Sequence, residues 1–184
     1  MINFLLRISS LIILLTALLT FGCTTTVPNT TMRFYKYNIK DKKVVIIPFK
    51  LNEDSALRVN KSFAKSLKEG IAFDIKSHFY KNGFSRIKIK KDYTGSDYIV
   101  SGKITQIEGG NLAQRAWFGF GYGASIITIE GFLIDVKHTE KVIEFRITET
   151  DEWTYSDNEN SIRNLANYIA KEIVKIIIEY NGKK

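Results

Sequence analysis

Cys23 is the only cysteine among the 184 residues, and its thiol is the one side chain whose position implies a defined chemistry. It follows Thr20-Phe21-Gly22 at the end of an apolar stretch. A lone cysteine there is the acceptor of a diacylglyceryl thioether, with cleavage just before it. Arg7 is the only charge ahead of it and forms the positive n-region. Ile8 to Leu19 is an apolar run within the ~7–15 residues of a signal core and short of the ~20 that span a bilayer. Thr20 stands where lipoprotein signals usually carry leucine, three residues before the cysteine. Two readings compete with lipidation: an uncleaved anchor helix, and an ordinary secretory signal that leaves Cys23 a free thiol. A single cysteine allows no intramolecular disulfide, so the exported domain rests on its core.

No other residues form a catalytic set. His78 stands beside Phe79 and His138 lies in a turn, and neither belongs to a His-Glu-x-x-His or Gly-x-Ser-x-Gly spacing. Glu149, Asp151 and Glu152 cluster before Trp153 without the loop spacing that holds a cation. The expectation is no enzyme, no metal and no cofactor.

The segment Glu108 to Ala124 is the most unusual in composition. Gly109, Gly110, Gly119, Gly121 and Gly123 alternate with Arg115, Trp117, Phe118, Phe120 and Tyr122. A phosphate loop would continue as Gly-Lys-Ser/Thr into a helix, whereas these glycines lead into a strand pattern with no lysine. Two readings stand. The glycines permit a bulge or tight corner while the rings fill the sheet–helix interface. Alternatively, Trp117, Phe118, Phe120 and Tyr122 are partly exposed partner anchors and Arg115 satisfies a carbonyl or carboxylate nearby.

The elements that position these residues follow from periodicity. Val44-Val45-Ile46-Ile47 is a buried strand run, with Pro48 at its end. Asp54-Ser55 offers a cap, and Val59, Phe63, Leu67, Ile71, Ile75 and Phe79 stripe a helix that Asn82-Gly83 stops. Strands follow at about Ser85 to Lys90 and Tyr98 to Ile107, then a hairpin of Ile126 to Val136 and Val142 to Thr148 around His138-Thr139-Glu140. The last helix begins near Ser161, with Ile162, Leu165, Ile169, Ile173, Ile176 and Tyr180 on one face and Asn181-Gly182 at its end. The order β-α-β-β-β-β-α predicts an α+β fold, one mixed sheet with two helices on one face. Residues 1–22 read as the signal peptide, 23–40 as the lipidated cysteine and a flexible tether, and 41–184 as a single domain.

Lys and Arg number 27 against 19 Asp and Glu, a net charge of +8. Removing residues 1–22 takes Arg7 and no acid, leaving +7 spread over the chain. Dispersed charge of this kind suits a solvated surface, or attraction to anionic lipid or another envelope polyanion. Aromatic residues are not interleaved with the basic ones as a nucleic-acid stacking platform requires.

Gly109-Gly110-Asn111, Arg115 and Gly119-Phe120-Gly121-Tyr122-Gly123-Ala124 resemble the signature of bacterial lipoproteins grouped as domain of unknown function 4410. Pro48-Phe49, Gly83-Phe84, Asp97-Tyr98, Ser101-Gly102 and Asp135 agree with that pattern. Where the family carries Thr-Gly-Lys in the hairpin turn, this chain has Thr139-Glu140-Lys141. The resemblance implies no established activity. The element order is also similar to the periplasmic domain shared by the curli-secretion lipoprotein and the amino-terminal part of the Tol-system β-propeller protein, which implies envelope assembly or partner binding. Thr24 after the cysteine resembles the pattern of lipoproteins delivered to the outer membrane. The expected protein is non-catalytic, anchored by diacylglyceryl and an amino-terminal acyl chain such as palmitate, and faces the periplasm. It binds an envelope protein or itself; the alternative is an anionic polymer or lipid surface held through its lysines.

Overall fold

The computed structural model describes residues 37–52, 60–109, 124–151 and 158–182. The β-branched run forms β1 (Val44–Ile46), buried at all three positions. It pairs in parallel with β3 (Ile87–Ile89) on one side and β4 (Tyr98–Glu108) on the other. Pro48 has no N–H to give to a ladder, so the strand breaks there. It resumes as β2 (Lys50–Leu51), again parallel to β4. Val44 faces Tyr98 and Lys50 faces Lys103, so the β1–β2 side carries one residue more than β4 and bulges around the proline. This short β2 is an addition to the strands expected from periodicity.

Strand β4, β5 (Ser125–Asp135) and β6 (Glu140–Asp151) form an antiparallel meander. The sheet order is β3-β1-β4-β5-β6, with β2 beside β4. Thr105 and Val142 are extra residues where the two registers slip. In the β5–β6 turn, Asp135 Oδ1 accepts from His138 N at 3.2 Å, and the left-handed position falls on Thr139 (φ 57°). The positive φ is therefore one residue ahead of Glu140, the position that aligns with the family's glycine.

Helix α1 (Lys61–Lys81) is capped by Asn60, whose side chain accepts from Ser62 N at 3.0 Å. Asp54, Ser55 and Val59 lie outside the described residues. The helix stops at Asn82, and Gly83 takes a left-handed φ of 84° as expected. Helix α2 (Asn158–Glu179) starts three residues ahead of Ser161, whose buried hydroxyl donates to Asp151 Oδ2 at 2.6 Å. Its end is tied back to the first described residue, with Gly182 N donating to Tyr37 O at 2.9 Å.

Both helices lie on one face of the sheet. Phe63, Leu67, Ile71, Ile75 and Phe79 of α1 and Ile162, Leu165, Ile169, Ile173 and Ile176 of α2 are buried in a single cluster with the sheet. Alternate strand residues (Ile46, Val100, Ile104, Ile129, Leu133, Ile147) complete it. Each such side chain stabilises the fold by about 1.5–3 kcal/mol through removal of apolar surface from water. The helices therefore cover one sheet face, and any open site lies on the other face, at an edge, or at an end.

Candidate interaction surfaces

The ends of the sheet differ. The chain enters beside Tyr98: Lys43 O accepts from Asp97 N at 2.8 Å, and the Tyr37 and Tyr98 rings meet edge to face at 6.3 Å. The Tyr37 hydroxyl donates to Ile177 O at 2.6 Å, and burial first, then neighbouring Tyr98, pushes it well above its usual range. At the other end Glu108 pairs with Ile126, so residues 109–124 join β4 to β5 there. The eleven residues of β4 set the two ends roughly 33 Å apart. Tyr37 thus lies at the end of the sheet opposite Gly109 and Ala124, the described residues that flank the glycine–aromatic segment. Gly109 is exposed at the tip of β4. Gly110, Arg115, Trp117, Phe118, Gly119, Phe120, Gly121, Tyr122 and Gly123 lie outside the described residues, as does Cys23.

The sheet face away from the helices carries a charged region on β2, β4, β5 and β6, ordered in rows across the strands, while Val45 and Ile99 are buried nearer β1. Lys50, Lys103, Glu130 and Arg146 are successive register partners on β2, β4, β5 and β6. Glu130 bridges two of the cations, at 3.0 Å to Lys103 Nζ and 3.2 Å to Arg146. Lys50 sits directly opposite Lys103, so the row ends in two neighbouring ammonium groups. Like charges opposed across a ladder cost stability unless something offsets them. The adjoining row holds Ser101, Phe132 and Glu144, with Lys141 paired to Glu144 and its Nζ 5.2 Å from the Phe132 ring centre. Together these side chains line a shallow groove of ≈ 640 Å³. Beyond the charged row, Thr128 Oγ1 donates to Gln106 Oε1 at 3.2 Å and lies 3.0 Å from Thr148 Oγ1.

His78 Nε2 lies 3.2 Å from Asn167 Oδ1 and links the helices. His138 Nδ1 lies 2.9 Å from Asp135 Oδ2 in the turn. Partial burial opposes ionisation of Asp135, but the His138 and Lys137 hydrogen bonds prevail and hold its carboxyl below the usual range. Glu149 is pushed up, by burial first and by Glu172 second. Asp151 is held by Ser161, and Glu152 lies outside the described residues. Among the described residues no group of three His, Cys, Asp or Glu side chains could hold a metal, and no helix is long and apolar enough to cross a membrane. The lysine row escaped sequence reasoning because Lys50 and Lys103 are 53 residues apart, and only strand register brings them together.

The model of the family described as Domain of unknown function (DUF4410) matches residues 35–172, the family that the glycine–arginine–glycine segment resembles. No curated protein matches the chain by sequence. Among solved structures it is similar to the PelC dodecamer from Paraburkholderia phytofirmans, at 16% identity and TM-score 0.53 over 79% of this chain and 96% of that one. It is similar also to a DUF330 protein from Xanthomonas campestris, at 11% identity and TM-score 0.55 over 82% and 93% of the two chains. A hypothetical protein from Chlamydia trachomatis aligns at 8% identity and TM-score 0.50 over 76% and 97%. At these identities the likeness is one of fold. None of these descriptions names a reaction.

Proposed function

The chain belongs to the DUF4410 family, and we propose that it is a lipid-anchored protein of the cell envelope, without catalytic activity, whose domain binds a protein partner or a second copy of itself. The observation that carries the reading is Cys23, the lone cysteine at the end of a charged-then-apolar leader. A diacylglyceryl thioether plus an amino-terminal acyl chain meets the two-chain requirement for stable attachment. Thr24 at the next position supports delivery to the outer membrane, with the domain in the periplasm. The charged groove on the open face supports a binding role. So does the assembly of the similar PelC as a dodecamer.

The test is Cys23→Ser in the full chain, with cells fed an alkyne-bearing palmitate analogue. The unsubstituted protein takes the label and fractionates with the outer membrane, and the variant takes none. An unlabelled but membrane-bound protein would point to an uncleaved anchor helix, and a labelless soluble one to an ordinary secretory signal.

A second reading is favoured by the opposed Lys50 and Lys103, with Arg146 on the same row. There the open face holds an anionic envelope polymer or lipid surface. The two readings differ in salt response, since exposed charge attraction is screened and an aromatic contact is not.

A further inference from the structure

We propose that β6 is a self-pairing edge: two copies join antiparallel through it about a two-fold axis at Phe145, and their sheets become one. The proposal rests on the self-association arm of the reading above and names its surface.

Strand β6 is outermost in the sheet, is 12 residues long, and among the described residues no strand pairs with its outer side. The opposite edge, β3, has only three residues. A long open edge is a template for another strand, and soluble proteins usually block it with charge or a bulge. Here the bulge at Val142 lies near one end, and the register with β5 is unbroken from Ile143 to Asp151.

The charges do not block the edge against its own copy. Read outward from Phe145, Glu144 mirrors Arg146 and Ile143 mirrors Ile147. Glu144 and Arg146 share the open face, being register partners of Phe132 and Glu130, and Phe145, Ile143 and Ile147 share the helix face. Pairing centred on Phe145 therefore sets Glu144 opposite the partner's Arg146 twice, once on each side of the axis. Opposed side chains on a ladder are ~4.5–5.5 Å apart at Cβ, within reach of an ion pair. Centring on Glu144 or on Arg146 sets that residue against its own charge, so the signs exclude those registers, and Phe145 is the centre that gives two Glu144–Arg146 contacts. Arg146 is 60% exposed and Glu144 36%, and their ion pairs with Glu130 and Lys141 lie on the open face. The helix layer offers a second contact. Tyr168 on α2 is 59% exposed and stands one turn before Glu172, which acts on Glu149 of β6. In the proposed pair, Tyr168 is carried by the helix that packs over β6 on the helix side of the seam.

The test is co-purification of two differently tagged full-length copies, co-expressed and extracted in mild detergent. Unsubstituted copies are expected to co-purify. R146E with itself, and E144R with itself, set like charges at both contacts and are expected to lose at least about tenfold in recovered partner. R146E co-expressed with E144R makes both contacts opposite again, and recovery is expected to return. A folding defect in one copy is not cured by a different defect in the other. Unsubstituted copies that fail to co-purify overturn the β6 seam and leave the protein-partner arm standing. Single variants that co-purify undiminished, or a mixed pair that stays apart, overturn the seam while self-association itself survives elsewhere.

Discussion

The ring of Phe145 occupies the space that a side chain at Gly131 would need: a Cβ added there would lie 2.6 Å from Phe145 Cε2. The two are register partners on β5 and β6. Gly131 also faces Gly102 on β4, where an added Cβ would lie 2.6 Å from Phe49 Cε1. The paired glycines open a hollow on the helix side of the sheet that two buried rings fill. Gly102 matched the family pattern as a bare residue, and the packing of Phe49 supplies its physical reason.

Gly131→Ala and Gly102→Ala are each expected to lower stability by about 1–3 kcal/mol, because a well-packed core must shift to admit the methyl. Gly70→Ala on α1 is the counterpart, with nothing within 4 Å of its added Cβ, and is expected to stabilise by up to about 1 kcal/mol. Chemical denaturation of the three variants gives opposite signs if the hollow is filled as described.

Glu149 makes stability fall with rising pH over a defined window. Its carboxyl is raised above the usual 4.5, by burial first and by Glu172 second, so the folded state disfavours its charge. Its contribution is intact below the unfolded value and lost as pH rises through the folded one. Glu149→Gln is therefore expected to raise the unfolding midpoint at pH 7, with the gain shrinking towards pH 4. A gain that persists at pH 4 would contradict this account.

If the open face holds a polyanion, the opposed lysines are its contact. Binding of the protein to vesicles rich in anionic lipid should then fall steeply between 0.05 and about 0.5 M salt, and Lys50→Glu with Lys103→Glu should abolish it. Vesicle co-sedimentation measures both. Binding that ignores salt and both substitutions would remove the lysine row from the account.

The helices and the strand–helix order were legible in the sequence because local periodicity encodes them: every apolar stripe residue from Phe63 to Phe79 and from Ile162 to Ile176 is buried. The cap at Asn60 was not read, since Asp54-Ser55 offered the same chemistry earlier in the chain. Strand β2 was missed because two residues after a proline carry no period, and only pairing with Lys103 and Ile104 defines them. The lysine row and the edge position of β6 were illegible for the same reason, as register and strand order depend on partners far away in the chain. Alternation in Ile143-Glu144-Phe145-Arg146-Ile147 did reveal which residues face the helices.

The central claim is that this domain binds a protein partner or a second copy, and residues 109–124, which join β4 to β5, hold the aromatic side chains expected as anchors for that contact. The most direct measurement places a photo-crosslinking residue at Phe120 in the native envelope, with Lys88 as a control position, and identifies the adducts by mass spectrometry. A discrete protein adduct at Phe120, absent at Lys88, is the predicted result and names the partner or a second copy. Silence at Phe120 would contradict that placement of the contact and move it to the β6 edge or the lysine row.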